Sequence, residues 1–140
     1  MVPKMSVVRV TMISSRRLGR DPMTAKFKDM VIDARDHQAL ADWWCTAFGY
    51  VRRDSLTGDE RPPDWPVPIV DPTGSAPLFW VCPVPESKTV KNRMHLDVWG
   101  NPDELVAAGA TLIRAKGGDI EWHVLADPEG NEFCVFEPRE

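Results

Sequence analysis

The sequence predicts an α+β fold of two modules, each running strand, helix and then three strands. Three observations carry this. The turn Asp71-Pro72-Thr73-Gly74 recurs as Asp127-Pro128-Glu129-Gly130, displaced by 127 − 71 = 56 residues. Gly49 and Gly109 each end a helical pattern and stand 109 − 49 = 60 residues apart. Two alternating stretches, Met30-Val31-Ile32-Asp33 and Met94-His95-Leu96-Asp97, lead the two halves. Internal repetition of this length means two modules building one structure, neither of which buries both faces of its sheet alone.

Residues 1–23 stand apart from this plan. A short strand over 7–13 is interrupted by Arg9, and Arg16, Arg17 and Arg20 follow it. That order is the reverse of a secretory signal. The reading is an N-terminal extension, with an extra edge strand as the alternative, and a domain over 24–140 (modules about 24–90 and 91–138).

The first lead strand is expected over 27–35, with Met30, Ile32 and Ala34 on an apolar face and Asp29, Val31 and Asp33 on the other. Asp36 suits an N-cap, and Leu40, Trp43, Trp44, Ala47 and Phe48 form one helical stripe closed by Gly49. A strand leaves at 50–53. Residues 54–68 read as a loop and candidate lid carrying Trp65, with Pro62, Pro63, Pro66 and Pro68 excluding a central strand. Ile69-Val70, a type I turn from Asp71 and a strand at 78–82 complete the module.

The second lead strand, 93–99, alternates most clearly. Met94, Leu96 and Val98 are apolar; Arg93, His95, Asp97 and Trp99 form the other row, about 7 Å per step. Asn101 caps a short helix with Pro102 at its first position and Glu104 at the third. Strands at 111–114, 122–126 and 133–136 follow. Even-numbered residues of both lead strands should face the helices, burying Met30, Ile32, Met94, Leu96 and Val98 with Leu40, Trp44 and Phe48.

Composition narrows the function. A net charge of −4 argues against nucleic acid, and no apolar run approaches a membrane span. Cys45, Cys82 and Cys134 lack metal-ribbon or disulfide spacing, which points to a reduced, cytoplasmic protein. Six tryptophans are more than one small core absorbs. Trp43 and Trp44 have core spacing; Trp65, Trp80, Trp99 and Trp122 are the pocket candidates.

His95 can serve as a general base oriented by Asp29, Asp33 or Asp97, or be a histidine simply hydrogen-bonded in a polar cleft; the weight falls on the second. Arg93 can hold an anionic group or pair with Asp29 or Asp97. Asp33 and Asp97 occupy similar places in the two modules, and a facing pair would raise one carboxyl. Cys134, between Phe133 and Val135, reads as buried and inert.

These residues also carry a resemblance. Asp36 with Ala39-Leu40-Ala41-Asp42-Trp43-Trp44 and Phe48-Gly49, Pro85-Glu86-Ser87-Lys88 with Lys91-Asn92-Arg93-Met94-His95-Leu96-Asp97, and Asp127-Pro128-Glu129-Gly130-Asn131-Glu132-Phe133-Cys134 resemble the vicinal-oxygen-chelate superfamily (the glyoxalase/bleomycin-resistance/dioxygenase fold), in its glyoxalase-like branch. The resemblance covers about residues 24–138. It implies two βαβββ modules forming one cup-shaped, incompletely closed eight-stranded sheet, and a homodimer. It also implies, in the metalloenzymes, one divalent ion held by two ligands from each module.

The matching ligand positions here are Asp29 and His95 on the lead strands and Leu78 and Cys134 at the module ends. Leucine binds no metal, and an Asp, His and Cys set is mixed in softness, so no metal and no cofactor is expected. The expected function is a small-molecule binder with a polar, Trp-lined cleft drawn from Asp29, Asp33, Trp65, Trp80, Arg93, His95, Asp97, Trp99 and Trp122. The alternative is a metal-dependent lyase, isomerase or dioxygenase. Three carboxylates against one fixed cation on the two rows predict a planar or cationic ligand.

Overall fold

The computed structural model describes residues 24–138; the strand considered at 7–13 lies outside them. The first module runs β1 (Met30–Ala34), α1 (His37–Phe48), β2 (Val51–Arg52), α2 (Arg53–Thr57), β3 (Val67–Val70) and β4 (Phe79–Pro83). The second runs β5 (Leu96–Trp99), α3 (Pro102–Ala107), β6 (Thr111–Arg114), β7 (His123–Ala126) and β8 (Glu132–Phe136). Each module forms a four-stranded sheet, in the orders β1-β4-β3-β2 and β5-β8-β7-β6. In both, the lead strand is an edge strand, parallel to the last strand, and the other pairs are antiparallel.

Local chemistry sets the boundaries. The Asp36 carboxylate accepts from the Ala39 amide at 3.1 Å and starts α1. Gly49 ends it in the left-handed region at φ 69°, where a side chain would be strained. The Asn101 side chain accepts from the Asp103 and Glu104 amides, with Pro102 at the first helical position. Both predicted turns close, with Gly74 N–H donating to Asp71 O and Gly130 N–H to Asp127 O.

One core spans both modules. It joins Leu40, Ala41 and Trp44 of α1 to Ile69, Phe79 and Val81 of the first sheet and Leu125, Phe133 and Val135 of the second. The α1 tryptophans make the crossing. Trp44 packs edge-on to Phe133 at 5.1 Å between ring centroids, and its indole N–H donates to Asp127 Oδ2 at 3.0 Å. The Trp43 indole donates to Ala108 O. Glu129 accepts from the Arg35 and Asp36 amides, tying the second module's turn to the start of α1. Asp127 is fully buried. Burial raises its carboxyl above the ordinary range, and bonds from Asn131, Trp44 and Glu129 offset only part of that rise.

Several expectations need correction. Met94 is 83% exposed, not buried, because pairing on β8 begins only at Leu96 ↔ Phe133, two residues further on. Met30, Ile32, Leu96, Val98 and Phe48 pack on the core as partly buried residues. Residues 54–68 are not wholly loop: Arg53–Thr57 is helical and ends at Gly58, φ 73°. Pro68 is fully buried inside β3, between β4 and β2 in sheet order. It fits there because β2 reaches only Val70 and Ile69, leaving Pro68 a strand partner on one side alone. β1 begins at Met30 rather than 27, and Trp122 lies just before β7. No helix among the described residues is long and apolar enough to cross a membrane.

Two variants test the junction. Leu96→Ala should lower unfolding free energy by about 2 kcal/mol or more, read in a denaturant melt; a loss under about half a kilocalorie would refute the β5 register. Asp127→Ala, which leaves the buried Trp44 indole without its acceptor, should cost about 2–4 kcal/mol by the same measurement.

Candidate functional site

The lead strands are free on one edge each, and the two edges border a crevice of about 510 Å³. Its base is apolar: Met30 and Ile32 from β1, Leu96 from β5, Phe133 from β8, and Trp44 from α1. Its rim is polar: Asp29 and Asp33 on one side, and Asn92, His95 and Glu132 on the other. On the lead strands the period of two explains the division, since even positions turn to the core and odd ones away. Glu132 holds the far rim in place. It accepts from Lys88 Nζ at 3.1 Å and from the Asn92 amide at 3.2 Å, fixing the approach to β5.

Asp29, Asp33 and His95 thus meet in one crevice. Trp80 stands one strand inward, opposite Val31 in the register, and its indole N–H donates to Asp29 Oδ2 at 3.0 Å. Lys28 also binds that oxygen, and the two donors hold the Asp29 carboxyl below its ordinary range. Asp97 touches His95, with Oδ1 at 3.4 Å from Nδ1, as one of the three carboxylates expected to orient it. No hydrogen bond or ion pair joins Asp33 to Asp97, or Arg93 to Asp29 or Asp97, among the described residues.

The remaining aromatic candidates lie elsewhere. Trp99, 71% exposed, and Trp122 flank Phe136 at 6.0 and 5.6 Å, forming an aromatic row on the open face of the second sheet. Trp99 also borders a hollow of about 290 Å³ between α1 and the short α3. Trp65 borders a third hollow of about 170 Å³ with Gln38, Arg52 and Arg61, and does not line the crevice.

Sequence periodicity missed Glu132, which opens β8, and Asn92, Arg53 and Arg61, which lie outside the strands. Arg53 Cζ sits 5.0 Å from the Trp80 ring centroid and Arg61 Cζ 5.6 Å from it. The face of the first sheet therefore carries two cations that the strand rows do not contain. The only sequence signal was the arginine content of the segment following β2.

The two-module metal set implied by the resemblance does not fit. His95 Nδ1, Asp97 Oδ1 and Cys134 Sγ lie within 4.8 Å of one another, but all belong to the second module. The first module offers Asp29, already engaged by Trp80 and Lys28, and the hydrocarbon of Leu78. Burial, and then the Asp97 charge, push the Cys134 thiol up, away from the thiolate that nucleophilic attack or metal binding needs. Asp97 and Cys134 both approach the same imidazole nitrogen, at 3.4 and 3.7 Å, and the other ring nitrogen has no protein partner among the described residues.

Comparison with known structures places this geometry. A glyoxalase/bleomycin resistance protein/dioxygenase family enzyme from Burkholderia phytofirmans superposes with a TM-score of 0.57 at 24% identity, covering 79% of this chain and 97% of that one. The fosfomycin resistance protein FosX from Listeria monocytogenes gives 0.58 at 9% identity, covering 84% and 94%. A glyoxalase-related enzyme from Fulvimarina pelagi gives 0.54 at 17%, covering 81% and 89%. At these identities the likeness is one of fold. No curated protein sequence matches the chain. A family model for the glyoxalase-like domain matches residues 29–136, and the chain, with its paired four-stranded sheets, belongs to that family.

Proposed function

We propose that the protein binds a small molecule in the crevice between its two lead strands and does so without the superfamily's two-module metal site. The carrying observation is the crevice itself. Its volume of about 510 Å³ falls in the range of small-molecule pockets, and an apolar base under a few convergent polar groups is their usual composition. Asp29, Asp33 and His95 supply the polar contacts, and Trp80, fixed through Asp29, supplies aromatic area next to them. Trp65, Arg93, Asp97, Trp99 and Trp122 belong to the wider binding surface in this reading, brought closer by a ligand or a second copy.

Sequestration rather than turnover is the favoured role, because the described residues assemble no activated nucleophile and no two-module metal set. The competing reading, a metal-dependent lyase, isomerase or dioxygenase, draws on the His95, Asp97 and Cys134 cluster alone. A homodimer suits the exposed apolar side chains of Phe27, Val31 and Met94 at the crevice margin, and unpaired Cys45, Cys82 and Cys134 suit a reducing compartment.

Two measurements test the proposal. In a ligand-observed NMR fragment screen, aromatic fragments that bind the wild type should lose affinity by about tenfold or more in His95→Trp, which fills the half-exposed rim, and be unchanged in Lys116→Ala. Equal binding to all three proteins would place the ligand elsewhere. Elemental analysis of purified protein should find metal well below one ion per chain; about one ion per chain, removed by His95→Ala, would transfer the assignment to the metal-dependent reading.

A further inference from the structure

We infer that the open face of the first sheet carries an oxyanion subsite beside the crevice, with Arg53 contacting the anion and Trp80 as its platform. The small molecule bound is then one bearing a carboxylate or a phosphoryl or phosphonyl group. This rests on the crevice reading above and narrows its ligand class.

The arginines of the first module divide sharply. Arg52 is fully engaged: Nε donates to Asp42, Nη1 to Gln38 Oε1 and Nη2 to Gln38 O. Arg61 is partly engaged. It lies 5.3 Å from the Trp65 centroid and 5.6 Å from that of Trp80, and Nη2 donates to Pro66 O. Its Nε is buried with no acceptor, and Asp54 stops at 3.8 Å. Arg53 is only partly exposed, yet it makes no hydrogen bond and no ion pair among the described residues. It stacks on the face of Trp80, and its charge reaches Asp29 and helps to hold that carboxyl down.

A guanidinium has five N–H donors in a rigid fork matched to two oxygens of a carboxylate or phosphate. Stacking on an indole holds its plane in place before any ligand arrives. Arg53 is thus pre-organised, with N–H groups that no protein acceptor among the described residues takes up. The neighbouring charges leave room for an anion. Asp29, whose Oδ2 accepts from the Trp80 indole, stands between Lys28 and Arg53, two cations to one carboxylate. Asp54 faces Arg61. Asp33 lies further along β1, in register with Cys82 rather than Trp80, and so outside the immediate surroundings of the fork. The two-cation flank of Trp80 reverses the preference that the strand rows alone would impose.

The test uses the full chain and three near-isosteric probes, benzoate, benzamide and benzamidine, by isothermal titration calorimetry at low salt. Benzoate should bind about tenfold or more tighter than benzamide, as a charge-assisted bidentate contact predicts, and benzamidine should be weakest. Arg53→Gln should erase the benzoate advantage and leave benzamide affinity within about twofold. Arg53→Lys, which keeps the stem and the charge but loses the fork, should reduce the advantage by about threefold or more with an unchanged far-ultraviolet spectrum. Benzamide binding as tightly as benzoate, or a benzoate advantage that survives both variants, would overturn the subsite and leave the crevice reading standing. Failure of all three probes to bind would overturn both.

Discussion

The structure depends on the contact between Trp44 and the second module. One indole fills the space over Phe133 and gives its N–H to the buried carboxylate of Asp127. A buried carboxylate without donors would be strongly unfavourable; here Asn131, Glu129 and Trp44 all supply them. The same group therefore closes the turn of the second module and anchors the helix of the first. Glu129, two residues on, repeats the tie by accepting from the amides that begin α1.

Because the modules are held at α1 and the 127–131 turn, their lead strands are left as neighbouring free edges, and the crevice is the space between them. Its apolar base is continuous with the core and its polar rim is the outward row of each strand. The shortness of α3, six residues against twelve in α1, leaves a further hollow beside Trp99 instead of a covered sheet. The two halves repeat one plan but differ in what covers them, and that asymmetry concentrates cations on the first sheet's face and exposed aromatics on the second's.

Chemically, the site offers one imidazole held by a carboxylate and no activated thiolate. Asp97 and Cys134 approach one nitrogen of His95 and leave the other open, while burial and the Asp97 charge push the Cys134 thiol up. Asp29 Oδ2 is taken by Trp80 and Lys28, and the cluster of His95, Asp97 and Cys134 draws on the second module alone. The groups presented around the crevice are indole surface, guanidinium groups and a rim of carboxylates.

The strand alternation, the Asp36 and Asn101 caps, the two Asp-Pro-x-Gly turns and the repeat between halves are local features, and the sequence by itself determined them because each depends on residues a few positions apart. The outward placement of Asp29, Asp33, His95 and Asp97 follows from the same period of two. Tertiary structure decided the rest. Met94 is exposed because pairing starts two residues later, a matter of where β8 lies. Pro68 enters a strand because β2 is too short to need its missing N–H. Arg53 and Arg61 reach Trp80 because α2 and the loop after it fold back over the sheet, and nothing in a strand's periodicity encodes what crosses its face from 19 or more residues away. The sign of the charge a ligand meets is thus set by long-range packing, which the order of residues along either lead strand does not contain.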